Sequence, residues 1–165
     1  MKLGDVVPNF QFTATNGINA NLADYHGQWI ILYFYPKDAT PGCTTQGQDF
    51  RDSYLKFQEL NASVFGISRD SIKSHENFKC KQTFPFELIS DSSENLCELF
   101  EVIKMKTMYG KQVRGIERST FIINPQGKLV HQWRKVSVPN HVDDVLATLK
   151  KLQKNDTSHL GENTH

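Results

Sequence analysis

Apolar positions change their period several times along the chain, and each change marks an element. Phe10–Thr13 and Ile18–Leu22 flank Asn16-Gly17, a dipeptide suited to a tight hairpin turn. Trp29 to Tyr35 is an unbroken apolar run ended by Pro36, as expected of a strand buried on both faces of a parallel sheet. Lys37 to Gly42 reads as loop, with Pro41-Gly42 as punctuation. After Cys43 the period lengthens. Phe50, Tyr54, Phe57 and Leu60 recur at three- and four-residue steps and predict one long amphipathic helix over 44–60. Ser63–Ser68 is a second short strand, and Asp70 or Ser71 can cap a helix over 72–83. A brief strand at 87–89 and a short helix at 93–100 follow. Ser119–Asn124, Pro125-Gln126-Gly127 and Leu129–Trp133 read as strand, turn and strand. Val142–Leu152 closes the pattern as an amphipathic helix. Residues 153–165 are polar and aperiodic and are expected to form a disordered tail.

Strands that alternate with helices predict an α/β fold. The late hairpin adds antiparallel strands, so a mixed central sheet flanked by helices is expected in a single domain over 1–152. A chain of 165 residues is long enough to bury a core without metal or disulfide staples. Its 19 Lys and Arg nearly balance 18 Asp and Glu, for a net charge of +1. That balance provides no global field for nucleic acid or an anionic membrane. The apolar run 29–35 falls far short of the ~20 residues that span a bilayer. Met1-Lys2-Leu3-Gly4-Asp5 lacks the apolar stretch of a secretory signal, which points to the cytoplasm. The three cysteines, Cys43, Cys80 and Cys97, are too few and odd in number for a secreted disulfide framework.

Cys43 carries the most information. A buried strand ends, a loop turns, and Cys43 falls in the first turn of a helix. Unpaired N–H groups and the partial positive charge there stabilise a thiolate over a thiol. Thr40, three residues earlier, can point its hydroxyl at the same pocket, and Pro36 and Pro41 stiffen the loop. The residues alone leave two readings open: a reactive thiol, or a small buried hydrophobe at a helix start.

The string Phe34-Tyr35-Pro36-Lys37-Asp38-Ala39-Thr40-Pro41-Gly42-Cys43-Thr44 resembles the active-site signature of peroxiredoxins, thiol peroxidases on a thioredoxin-like fold. It is similar to the bacterioferritin-comigratory-protein, or Q-type, subfamily. The likeness continues at Lys106-x-x-Tyr109-Gly110-Lys111 and at 115–122, and covers roughly residues 2 to 152. The resemblance implies that Cys43 is the peroxidatic cysteine, shielded by Pro36. Thr40 would hydrogen-bond the peroxide, and Arg118 would set its guanidinium beside the thiolate. Gln46 sits where the family often has Glu or Gln holding that arginine. Physically, a fixed cation favours a thiolate, and its donors can hold a peroxide oxygen. Without the resemblance, Arg118 reads as a solvated charge before a strand.

Peroxide attack leaves a sulfenic acid, which a second thiol normally converts to a disulfide. Much of the subfamily carries this resolving cysteine five residues after the first, where this chain has Gln48. Other members carry it on the helix after the second strand, where Cys80 lies, one position later than that variant's spacing. Helix geometry sets Cys80 about 160° from Phe78, so a core-facing Phe78 leaves Cys80 in solvent between Lys79 and Lys81. A Cys43–Cys80 disulfide then requires local unwinding near Cys43. Cys97, among Leu96, Leu99 and Phe100, is expected to pack as an inert thiol.

The leading expectation is a peroxidase for hydrogen peroxide and organic hydroperoxides. It would be recycled by thioredoxin or a similar dithiol protein, act as a monomer and need no cofactor. The alternatives are a one-cysteine peroxidase using an external thiol, a thiol–disulfide exchange protein, and a non-catalytic binding module. Exchange proteins favour Cys-x-x-Cys, and position 46 is Gln. A metal site is weaker still: His75 and Cys80 lie five apart on one expected helix, and no second ligand pair has useful spacing.

Overall fold

The computed structural model describes the backbone of residues 1–163 and the side chains of residues 1–156. Its centre is β3 (Trp29–Phe34), buried along its whole length. Alternate side chains of an extended strand point to opposite faces. Ile30, Leu32 and Phe34 therefore enter one core, with Phe12, Phe121, Leu96 and Phe100. Trp29, Ile31, Tyr33 and Tyr35 enter the other, with Phe50, Phe57, Phe78, Val145 and Leu149. A run apolar at every position fits two covered faces.

Seven strands form one mixed sheet. β1 (Gln11–Ala14) and β2 (Ile18–Asn21) make the edge hairpin, and β5 (Glu87–Ser90), β4 (Ala62–Ser68), β3, β8 (Ser119–Ile123) and β9 (Leu129–Trp133) follow across the sheet. β3, β4 and β5 run parallel, joined by helical crossovers. β8 runs antiparallel to β3, pairing Ser119 with Phe34. That pairing brings the residue before β8 to the edge where β3 ends, although 75 positions separate Cys43 from Arg118.

Three elements differ from the pattern. The helix expected over 44–60 is two: α1 (Pro41–Asp52) and α2 (Tyr54–Glu59). Ser53 adopts φ −103°, ψ 4° between them, and the break keeps both Phe50 and Phe57 fully buried, 5.8 Å apart. Serine mid-helix supports such a break because its hydroxyl competes for backbone bonds. A separate two-stranded hairpin, β6 (Ile103–Met108) with β7 (Lys111–Ile116), occupies a segment to which the pattern assigned no element. Tyr109 (φ 52°) and Gly110 (φ 78°) form its two-residue turn, whose positive φ at both positions fits the twist of a hairpin.

The third is the chain end. Residues from 153 were expected to be a disordered tail, but α5 continues from His141 to Asn163. Gln153 Nε2 donates to the Leu60 carbonyl at 2.5 Å and ties down the first turn beyond Leu152. Thr164 and His165 lie outside the described residues. Helices α3 (Ile72–Gln82) and α4 (Asn95–Leu99) match their expected places. Among the described residues, no helix is long and apolar enough to cross a membrane.

Candidate active site

β3 ends at Phe34, Tyr35 stays buried, and half-buried Pro36 turns the chain into the loop. Thr40, in extended conformation, is the N-cap of α1, and Pro41 is its first residue. Proline suits that position, since its missing N–H would have no partner there anyway. Cys43 thus sits in the first turn. The Gly42 and Cys43 N–H groups have no carbonyl one turn earlier within the helix to bond.

Cys43 is a free thiol, only 2% exposed. Arg118 Nη2 stands 3.5 Å from Cys43 Sγ. The same guanidinium donates through Nη1 to Gln46 Oε1 at 2.6 Å. Gln46 is fully buried, one helical turn after Cys43, so α1 presents both the thiol and the group that aims the cation. A methyl group on Gly42 would lie 3.2 Å from Nη2, so only glycine lets the guanidinium settle at this distance without displacement. The sequence thus brings Cys43, Gln46 and Arg118 into direct contact. Thr40 lies at the start of the same turn, its hydroxyl donating to the Lys37 carbonyl at 2.8 Å rather than capping the helix. Its oxygen lone pairs remain available as acceptors.

Sequence reasoning missed what holds the loop. Asp38 is buried and accepts three contacts: from the Tyr35 hydroxyl at 2.6 Å, the Ser74 hydroxyl at 2.8 Å and His75 Nδ1 at 2.7 Å. His75 Nε2 meets the Ile89 carbonyl at 2.9 Å. A carbonyl only accepts, so Nε2 carries a proton, and a second proton lies between Nδ1 and Asp38. The Asp38 N–H in turn donates to Asp70 at 3.0 Å. This network fixes the loop to α3 and β5. Asp38, Asp70 and His75 offer oxygen and nitrogen atoms within 4.8 Å of one another, a spacing that could hold a cation, but these atoms are already committed to the bonds above. No periodicity marks such residues, because Asp38 meets Asp70, Ser74 and His75 only across 32, 36 and 37 positions. His75 is fully buried and Cys80 exposed, so the ligand pair considered from sequence does not converge.

Electrostatics around the thiol are layered. Burial pushes the Tyr33 phenol well up, and negative charge at Cys43 and Asp38 adds to it, so the phenol stays protonated behind the site. Burial, aided by Tyr33 and Asp38, does the same for Tyr35. Cys97 is fully buried, and burial followed by its contact with Asp91 raises its thiol far above the ordinary range. It lies in the opposite core from Cys43. Cys80 lies on the exposed side of α3 while Phe78 packs inward, as the helical geometry predicts.

The AhpC/TSA family model matches residues 3–132 of this sequence. Peroxiredoxin Bcp of Xanthomonas campestris is 54% identical over 136 residues, covering 82% of this chain and 85% of the relative. Peroxiredoxin Bcp of Bacillus subtilis is 46% identical, covering 93% and 98%. The chain belongs to the AhpC/TSA family, in its Bcp, or Q-type, peroxiredoxin branch. Its thioredoxin-like fold agrees with solved peroxiredoxins. A PrxQ mutant from Xylella fastidiosa superposes with a TM-score of 0.88 at 47% identity, covering 93% of this chain and 98% of that one. The bacterioferritin comigratory protein of Xanthomonas campestris, described for its alkyl peroxide reduction activity, gives 0.82 at 51% identity, covering 86% and 90%.

Proposed function

We propose that the protein is a thiol peroxidase that reduces hydrogen peroxide and alkyl hydroperoxides through Cys43. The observation that carries this reading is the 3.5 Å approach of Arg118 Nη2 to Cys43 Sγ at the first turn of α1. The guanidinium stabilises negative charge on sulfur and donates to a peroxide oxygen. Thr40, its own proton already given to Lys37, accepts from the peroxide O–H. Gln46 holds Arg118 in place, and Pro36 shields the thiolate from bulk water.

The thiolate sulfur attacks one peroxide oxygen. The O–O bond breaks, its electron pair leaves with the other oxygen, and that oxygen is protonated to water or an alcohol. Sulfur is oxidised to a sulfenic acid and the peroxide is reduced. The Cys80 thiol then displaces the sulfenic hydroxyl as water and forms a disulfide with Cys43. A dithiol protein of thioredoxin type takes that disulfide back to two thiols by exchange. The exposure of Cys80 suits this last step. A disulfide reduced in every cycle belongs in a reducing compartment, which favours the cytoplasm, and an intrachain disulfide lets the protein work as a monomer.

A non-reducing peptide map after one equivalent of peroxide tests the two-cysteine form. A Cys43–Cys80 peptide is expected. Sulfenic acid trapped at Cys43 with Cys80 still free would leave a one-cysteine peroxidase that uses an external thiol.

A further inference from the structure

Cys43 is buried in the first turn of α1, whereas Cys80 is exposed in the last turn of α3. A disulfide between a buried and an exposed sulfur, with Cα atoms within ~7 Å, calls for local opening, and the last turn of α3 is one place for it. That turn is not free. Gln82, two residues after Cys80 and the last residue of α3, is held twice by α1. Gln48 Nε2 donates to its side-chain oxygen at 2.9 Å, and Arg51 Nη1 donates to its backbone carbonyl at 2.9 Å. The carbonyl is one of the helix-end acceptors that lack an intrahelical donor, which makes the arginine's donation the cap. Just beyond, the Phe84 ring lies against Gly47, so close that a methyl group there would sit 2.3 Å from it. Gln48 and Arg51 come five and eight residues after Cys43. Unwinding confined to the first turn of α1 therefore leaves both holds intact.

We propose that Gln48 and Arg51 clamp Gln82 and thereby set the rate at which Cys80 reaches the Cys43 sulfenic acid. The proposal rests on Cys80 being the resolving cysteine. Gln48 and Arg51 touch neither sulfur nor substrate in this structure and act through α3, as positioning residues. The bond-forming step is unchanged: Cys43–SOH and Cys80–SH give the disulfide and water. The clamp governs how long the sulfenic acid waits, and so how much of it a second peroxide oxidises to the sulfinic acid. Loss of one such hydrogen bond shifts a local opening equilibrium by about fivefold, and loss of one from a charged donor by more.

The test compares wild type with Gln48→Ala, Arg51→Ala and the double variant, with Arg51→Lys as the conservative rescue. Three rates are followed after a pulse of hydrogen peroxide: loss of the Cys43 thiol, appearance of the Cys43–Cys80 disulfide, and sulfinic acid formed under excess peroxide. Hydrogen exchange over residues 79–84 is measured in the reduced protein. Expected are unchanged thiol loss, faster exchange, disulfide formation accelerated about fivefold or more in each alanine variant, and less sulfinic acid. Arg51→Lys should fall back toward wild type. Each single variant reports the same sign if the double variant is unstable. Disulfide formation no faster than wild type, with or without faster exchange, overturns the clamp while leaving Cys80 as resolver. A wild-type protein that never forms the Cys43–Cys80 linkage overturns the resolving role, and the clamp's function with it.

Discussion

Replacing Arg118 with Met keeps side-chain length and removes the charge and both donors. The guanidinium nitrogen stands 3.5 Å from the Cys43 sulfur, in a half-buried site. At an effective dielectric constant of about 20 the attraction of unit charges at that distance is about 5 kcal/mol, an upper bound. Solvent reaching the half-buried cation reduces this to about 2–3 kcal/mol. With each 1.4 kcal/mol worth about tenfold in rate, the second-order rate of peroxide consumption should fall by about 30- to 140-fold. Stopped-flow loss of the Cys43 thiol under excess hydrogen peroxide measures it, with circular dichroism to show that the fold persists. Arg118→Lys restores the charge but cannot reach both Gln46 and Cys43 through one planar fork, so it should recover only part of the loss. An Arg118→Met variant as fast as wild type would refute the electrostatic role given to this contact.

Gly47→Ala should destabilise the fold by about 1–3 kcal/mol, because the new methyl collides with the Phe84 ring at 2.3 Å; a melting temperature equal to wild type would contradict the packing described. His141 bonds Thr120 at 2.8 Å, and burial lowers its pKa from 6.5 to about 4. Its folded form therefore binds fewer protons than the unfolded chain between those values, so stability is full above pH 6.5 and declines toward pH 4, by about 2 kcal/mol after allowance for solvent. Denaturant midpoints across that range should lose part of this slope in His141→Gln, and an identical slope would count against it. Native-state alkylation should label Cys80 readily and leave Cys97 unmodified until the protein is denatured. Labelling of Cys97 in the folded protein would contradict its burial.

The parallel strands, the mixed sheet and the place of Cys43 were legible because local pattern dictates them. A run apolar at every position demands two covered faces, and the helical period that follows Cys43 puts it near a helix start, although the helix begins at Pro41 rather than after Cys43. The faces of α3 were legible for the same reason, since 100° per residue separates Phe78 from Cys80 wherever the helix packs. Arg118 was legible only through resemblance. Its approach to Cys43 depends on the Phe34–Ser119 register, which no local rule encodes. The break at Ser53 escaped because Phe50 and Phe57 keep helical spacing across it. The β6–β7 hairpin escaped because its alternation is short, Ile103-Lys104-Met105-Lys106, and most of its side chains are exposed. Asp38, His75 and the contacts on Gln82 were invisible for a further reason: each is an ordinary polar residue until folding supplies its partner.

The central claim is that one sulfur performs the chemistry. Hydrogen peroxide and an alkyl hydroperoxide should be titrated against wild type and Cys43→Ser, each with thioredoxin, its reductase and a reductant supplied. Wild type should consume both peroxides with steady turnover, and Cys43→Ser should consume neither above background while keeping its fold. Turnover in Cys43→Ser equal to that of wild type would contradict the assignment of this site.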